Sequence, residues 1–172
     1  GAVSPRWVDG AAPGWFPDEF GWVVGCDYRG LPPHGAAVRN PIGAAMAARR
    51  VPLSRIGGFS PHLGRRGNFP AGCEETLMGI ALRRDDPDAQ IIRDTAFRVR
   101  HAVPGDRGTL AYFTRRCYQE GRSKAVLSRL ASTGEALSSE RSYATRILTT
   151  GIWKQRRAPL RALAMVVGFV CT

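Results

Sequence analysis

Lysine is nearly missing from this sequence: two of the 25 basic side chains are Lys (Lys124 and Lys154) and the other 23 are Arg. Cysteine is sparse too. The four cysteines, Cys26, Cys73, Cys117 and Cys171, lie far apart and include no C-x-x-C pair. That spacing excludes a structural zinc framework and a disulfide scaffold, so buried free thiols in a reducing compartment are expected. No secretory leader is legible, and no apolar run reaches the roughly 20 residues of a spanning helix. The longest candidate, Ala162–Cys171, has ten residues and stops at Thr172. The chain also starts without Met, so its ends are expected to be the boundaries of a fragment or a processed chain. There is no internal repeat and no low-complexity tract.

What is present fits about one folded domain: 172 residues, 44% hydrophobic and 23% charged, enough for a sizeable core. The 20 glycines and 12 prolines predict many loops, mostly in the first 110 residues. The net charge of +11 is unevenly spread. Residues 1–94 hold 11 basic and 10 acidic side chains, whereas residues 95–172 hold 14 and 4. A basic second half attracts anionic partners: nucleic acid, acidic lipid or a phosphorylated substrate. The arginine skew has a plainer source as well, a GC-rich coding bias that leaves a merely solvated basic face.

Residues 1–40 read as loop, broken by Pro5, Pro13, Pro17, Pro32 and Pro33, with a short strand expected at Phe20–Cys26. The small-residue run 42–50 fits a buried strand or a short helix equally. Residues 60–72 form a glycine- and arginine-rich loop. A helix is expected from Glu74 to Arg84, with acids in its first turn and arginines in its last. Ala89–Arg93 and Ala96–His101 read as extended, and in the second Phe97, Val99 and His101 share one face. Arg107–Leu130 reads as mostly helical with Leu110, Phe113, Cys117, Leu127 and Leu130 inward. Further helices are expected at Ser139–Leu148 and from Pro159, a residue suited to a first helical turn.

Four features could carry chemistry, and each has a bland counterpart. Glu74-Glu75 at a helix start can supply a general base and its partner, or can simply complement the helix dipole. His101, on the apolar face of its strand, can be a ligand or base, although such histidines are more often satisfied core residues. Gly43, Gly57, Gly58, Gly64, Gly67 and Gly72 can admit a ligand close to the backbone, or make turns. Asp86-Pro87-Asp88 has the spacing of a cation site but sits at a charged helix end, where a solvated turn is expected.

Taken in order, Gly43-Ala44-Ala45-Met46 with Arg49-Arg50, Gly57-Gly58-Phe59, the glycine-rich loop Gly64 to Gly72, Glu74-Glu75, and Val99-Arg100-His101 resemble the second half of the inverting, GT-A-type family 2 glycosyltransferases, in a bacterial, actinobacterial-like form. The match covers roughly residues 38–104. Tyr112-Phe113, Arg116-Cys117-Tyr118, Glu120-Gly121 and Ser123-Lys124 also resemble the helix that follows in bacterial members. The resemblance implies an α/β fold, the acceptor-side half of a GT-A mixed sheet over residues 1–105, followed by a basic helical extension over 106–172. It implies sugar transfer from a nucleotide-sugar to an acceptor hydroxyl, of the hexosyltransferase type. By position Glu75 becomes the catalytic base and Glu74 an acceptor contact. Gly43, Ala44, Ala45, Arg49, Gly57 and Gly58 become the substrate-binding set, and His101 a metal ligand or diphosphate contact.

A divalent cation, Mg²⁺ or Mn²⁺, is the implied cofactor. The implied partners are a nucleotide-sugar donor, a glycan, lipid-linked or small-molecule acceptor, and an acidic membrane surface. The resemblance departs at Glu75, where Asp is usual, and at Ala45, where Asn is frequent. The nucleotide-binding half of the family has no counterpart within these residues. The chain alone is therefore expected to be catalytically incomplete, as a truncation or as one chain of a split enzyme whose other half is a separate chain. The expected location is the cytoplasm, peripheral at the inner face of the cell membrane. The competing expectation is a non-catalytic basic module whose Tyr112, Phe113 and Tyr118 stack on nucleic acid or whose charge meets acidic lipid.

Overall fold

The computed structural model describes residues 1–65, 67, 71–131 and 159–171. The helix expected at Ser139–Leu148 lies outside these. The described residues form a mixed α/β structure: strand β1 (Ala2–Trp7), helix α1 (Arg50–Arg55), helix α2 (Glu74–Asp85), strand β2 (Arg98–Val103), helix α3 (Leu110–Ala131) and helix α4 (Pro159–Cys171). Short 3-10 turns stand at Asp18–Val24, Gly43–Ala45 and Gly105–Gly108.

β1 and β2 pair in parallel, with Val3 opposite Val99 and Pro5 opposite His101. This is the only ladder among the described residues; one isolated antiparallel bridge, Ala37 to Ile92, stands apart from it. β1 was not legible as a strand, because Pro5 interrupts it and its polar residues do not alternate cleanly. Pro is tolerated there because each strand of a two-stranded sheet is an edge strand. Along β2, Arg98, Arg100 and Ala102 are exposed while Val99 and His101 are half-buried and Val103 is buried, the period-two pattern expected.

The segment expected to be a strand, Phe20–Cys26, instead folds into the 3-10 turn Asp18–Val24. Two glycines cause this. Gly25 takes the left-handed conformation with φ 76°, closing the turn through N–H bonds to the Gly21 and Trp22 carbonyls. Gly21 passes so near the Asp27 carbonyl that a Cβ would collide with it. The turn buries Phe20, Val23 and Val24 together, which an extended strand with alternating faces could not do.

One core holds the two strands, this turn and both long helices. It contains Val3, Phe16, Phe20, Val23, Val24, Cys26, Val103, Phe113, Cys117 and Met165. Phe113 is fully buried and meets Trp15, Phe16 and Phe20 at ring separations of 5.6, 5.8 and 5.3 Å, distances typical of favourable aromatic pairs. α3 and α4 thus share one core with the strands and the turn of the first half. A smaller cluster of Leu63, Cys73, Leu127 and Ala131 packs α3 against the start of α2. Phe113, Cys117 and Leu127 face inward as expected, but Leu110 and Leu130 are 55% and 39% exposed. Over so many turns the 3.6-residue period carries the ends of an apolar stripe away from the face its middle buries.

α4 begins at Pro159 as expected and docks through Ala164, Met165 and Gly168. A Cβ on Gly168 would stand 2.5 Å from Phe20 and 3.0 Å from Phe113, so glycine sets how closely α4 approaches the aromatic cluster. Gly168→Val is expected to destabilise the fold by about 1–3 kcal/mol through overpacking, outweighing the few tenths that valine gains over glycine in helix propensity. A denaturant midpoint equal to wild type would contradict this docking.

Candidate active site

The first turn of α2 opens onto a cavity of about 510 Å³, within the range of small-molecule sites. Residues 22–26, 39–44 and 71–76 form much of its wall, completed by Arg65, His101, Arg107 and one stripe of α3: Arg116, Glu120 and Lys124. Glu74, Glu75, Gly43, Ala44 and His101 therefore share one cleft. Ala45, Arg49, Gly57 and Gly58 are not part of its lining. Ala45 ends the 3-10 turn at 1% exposure inside the core, with its carbonyl accepting from the Gly1 ammonium at 2.7 Å. Arg49 is exposed at the start of α1. Gly57 and Gly58 terminate that helix in left-handed conformations, their N–H groups bonding back to Ser54 and Leu53.

The glutamates are presented by unusual backbone. Cys73 precedes them at φ 72°, the one non-glycine residue with positive φ among the described residues. That conformation costs on the order of 1 kcal/mol or more and persists only where the surroundings enforce it. It caps α2 without a side-chain cap bond, so the helix start is not the ordinary Ser/Asp-capped kind. Gly43 makes room for Glu75: a Cβ there would collide with Glu75 Oε1. Glu74 lies over Gly64, where a Cβ would come within 3.1 Å of its carboxyl carbon.

Electrostatics separate the cavity's groups. Burial and then the neighbouring Glu74 charge hold the Glu75 carboxyl above its ordinary pKa, which makes it a better proton acceptor than an exposed glutamate. Glu74 Oε2 is buried with no hydrogen-bond partner among the described residues, so a ligand hydroxyl entering the cleft would find an acceptor there. His101 is pushed the other way. Burial, then Arg107 and Arg65, hold it below the usual histidine value and favour the neutral ring. Neither Arg65 nor Arg107 has a carboxylate partner among the described residues; Arg65 bonds to the Tyr112 hydroxyl at 3.4 Å, and Arg107 lies 5.9 Å over that ring. The two guanidiniums and the imidazole give this part of the cavity donors suited to an anion.

A metal ion finds less here. Among the described residues no group of three or more His, Cys, Asp or Glu side chains could hold one, and the cations beside His101 oppose another. A cation at His101 would take its other ligands from a bound ligand or from beyond the described residues. Asp86 and Asp88 form the expected exposed turn, Asp88 N–H donating to Asp86 Oδ1 at 3.0 Å.

Sequence reasoning missed Trp22, Arg65, Arg107, Arg116, Glu120 and Lys124 as cavity residues. The last three repeat at spacings of four along α3 beside its apolar stripe. Polar residues flanking a buried stripe are a readable signal that this face meets a polar cavity instead of solvent.

No family model matches the chain, and no solved structure matches it. Over 130 residues it is 32% identical to a glucosyl-dolichyl phosphate glucuronosyltransferase of Haloferax volcanii. That stretch is 76% of this chain but 41% of the relative, so the chain spans about two fifths of the length of the curated protein it resembles.

Proposed function

We propose that this chain is the acceptor-side part of an inverting family 2 glycosyltransferase of the GT-A type, with Glu75 as its general base. One observation carries the reading: a carboxylate with raised proton affinity, a buried carboxylate oxygen with no hydrogen-bond partner among the described residues, and the basic side chains Arg65, Arg107 and His101 all face one cleft. The likeness to a glucuronosyltransferase supports it, and that relative's name makes a glucosylated, lipid-linked phosphate the substrate class to test first.

In this mechanism Glu74 accepts a hydrogen bond from the acceptor sugar and orients it. Glu75 removes the proton from the attacking hydroxyl. The freed oxygen bonds to the anomeric carbon of the donor as the bond from that carbon to the diphosphate oxygen breaks on the opposite face, which inverts the centre. Arg65, Arg107 and neutral His101 stabilise the charge that develops on the departing nucleoside diphosphate. A divalent cation, where bound, would share that charge.

The nucleic-acid alternative loses ground on burial. Tyr112 is 6% exposed and Phe113 is fully buried, so only Tyr118, at 55%, is free to stack. Acidic lipid fits better as the basic half's counterpart. Residues 141–172 hold six basic and no acidic side chains, and α4 turns Leu160, Leu163 and Val170 outward at 60% exposure or more. Among the described residues no helix is long and apolar enough to cross a membrane, so α4 would lie on an anionic surface.

Calorimetry of the chain, supplemented with any chain needed to complete the donor site, with nucleoside diphosphates and their glucuronic acid conjugates is expected to show binding that weakens about tenfold or more in Arg107→Ala, the loss of one charged hydrogen bond. Affinity unchanged in Arg107→Ala would remove Arg107 from the donor contact. In a transfer assay on a prenyl-phosphate glucoside, supplemented with any chain needed to complete the donor site, Glu75→Gln is expected to lower kcat by about 10²–10⁴-fold. The wild-type rate should rise with pH through a midpoint above the ordinary glutamate value, because the base works only when ionised. Vesicles rich in anionic lipid should co-sediment the chain at low salt but not at high salt. Equal sedimentation with neutral vesicles would rule out the charge-led contact.

A further inference from the structure

Behind the glutamate pair, on α3, lies a set of polar groups that the proposed reaction does not use. Arg116 and Glu120 form an i,i+4 ion pair at 2.7 Å with side-chain exposures of 12% and 15%. The pair reaches the strained turn in two ways. The Cys73 thiol donates to Glu120 Oε1 at 3.3 Å. Gly72 rests directly on the pair, since a Cβ there would come within 2.8 Å of Arg116 and 2.9 Å of Glu120. One helical turn further on, Ser123 Oγ accepts the Gly72 N–H at 3.2 Å and donates to the Gln119 carbonyl at 2.9 Å. The Arg116 guanidinium also lies 5.4 Å over the Trp22 ring, on the wall of the same cavity.

Stability alone does not account for such a pair. A buried ion pair is often no more stabilising than apolar groups of the same size, because desolvation consumes most of the attraction. α3 already packs on α2 through Leu127, Ala131 and Cys73, so an apolar Arg116/Glu120 site would continue that contact. What an apolar pair could not do is hold a turn whose middle residue has φ 72°. Strain of that kind, next to reactive groups, persists where neighbours over-determine it.

We propose that Arg116 and Glu120 are positioning residues: their buried ion pair clamps the Gly72–Cys73 turn and so fixes where the Glu74–Glu75 pair enters the cleft. The geometry stands by itself; its catalytic meaning rests on the glycosyltransferase reading. The same two groups act on Glu75 through space with opposite signs, Glu120 favouring its neutral form and Arg116 its ionised form. Their own charges are locked. Burial would raise the Glu120 carboxyl, but Arg116 and then Lys124 more than offset this and hold it below the ordinary glutamate value.

The test needs no substrate. The Glu75 carboxyl of the 172-residue chain is titrated by carbon NMR, assigned through Glu75→Gln. Glu120→Gln should move the Glu75 midpoint down, Arg116→Met should move it up, and the charge-preserving Arg116→Lys and Glu120→Asp should leave it near wild type. A merely structural role predicts otherwise: loosening the turn admits water and moves the midpoint down in both charge-removing variants. That result, or no movement, would overturn the proposal. Should Arg116→Met fail to fold, the Glu120→Gln and Glu120→Asp pair decides, since both disturb packing and only the first removes charge. Failure of the Glu75→Gln transfer assay with these shifts intact would sink the enzyme reading and leave the clamp standing.

Discussion

The docking of α3 on the aromatic cluster is the constraint from which the rest follows. Phe113 sits fully buried among Trp15, Phe16 and Phe20 and meets α4 through Gly168. That single ring ties together the turn after β1, the long helix and α4. With the helix held there, its neighbouring stripe of Arg116, Glu120 and Ser123 is delivered to the Gly72–Cys73 turn. The site's backbone is strained, so it depends on a partner that does not move, and the aromatic cluster supplies one.

Parts of this were legible from the residues. The acid-led, arginine-ended pattern of Glu74–Arg84 gave its helix to within one residue, because local dipole and capping preferences coincide there with the tertiary structure. Alternation placed Val99 and His101 on the inner face of β2. Pro159 marked the start of α4. Other parts were not legible. β1 has no apolar alternation of its own and exists because β2, more than 90 residues later in the chain, pairs with it. Phe20–Cys26 has the composition of a strand, and only the close approach of Gly21 to Asp27 turns it into a compact coil. The cavity's cationic lining was hidden because Arg65, Arg107 and Arg116 come from three separate elements, and no single window of sequence contains them.

The cleft's chemistry is asymmetric in a way that composition did not foretell. A chain with net charge +11 carries at this point three carboxylates, Glu74, Glu75 and Glu120, and they have different surroundings. Glu120 is bound to Arg116, Glu75 is burdened by burial and its neighbour, and Glu74 keeps a buried oxygen with no partner among the described residues. Environment alone thereby sets three like groups apart. The long-range excess of positive charge and the short-range cluster of acids are compatible because Arg39, Arg65, Arg107 and Arg116 line the same cavity.

The thiol beside the glutamates has a consequence for chemical probing. Cys73 is 8% exposed, and burial followed by the Glu120 charge drives its proton affinity well above that of an ordinary cysteine. Nucleophilic cysteines are thiolates in accessible, electropositive surroundings, and this one is neither ionised nor accessible. A covalent inhibitor aimed at the cleft would pass it by. Carboxylate-directed electrophiles, such as diazo or epoxide warheads, match the groups that the cleft offers.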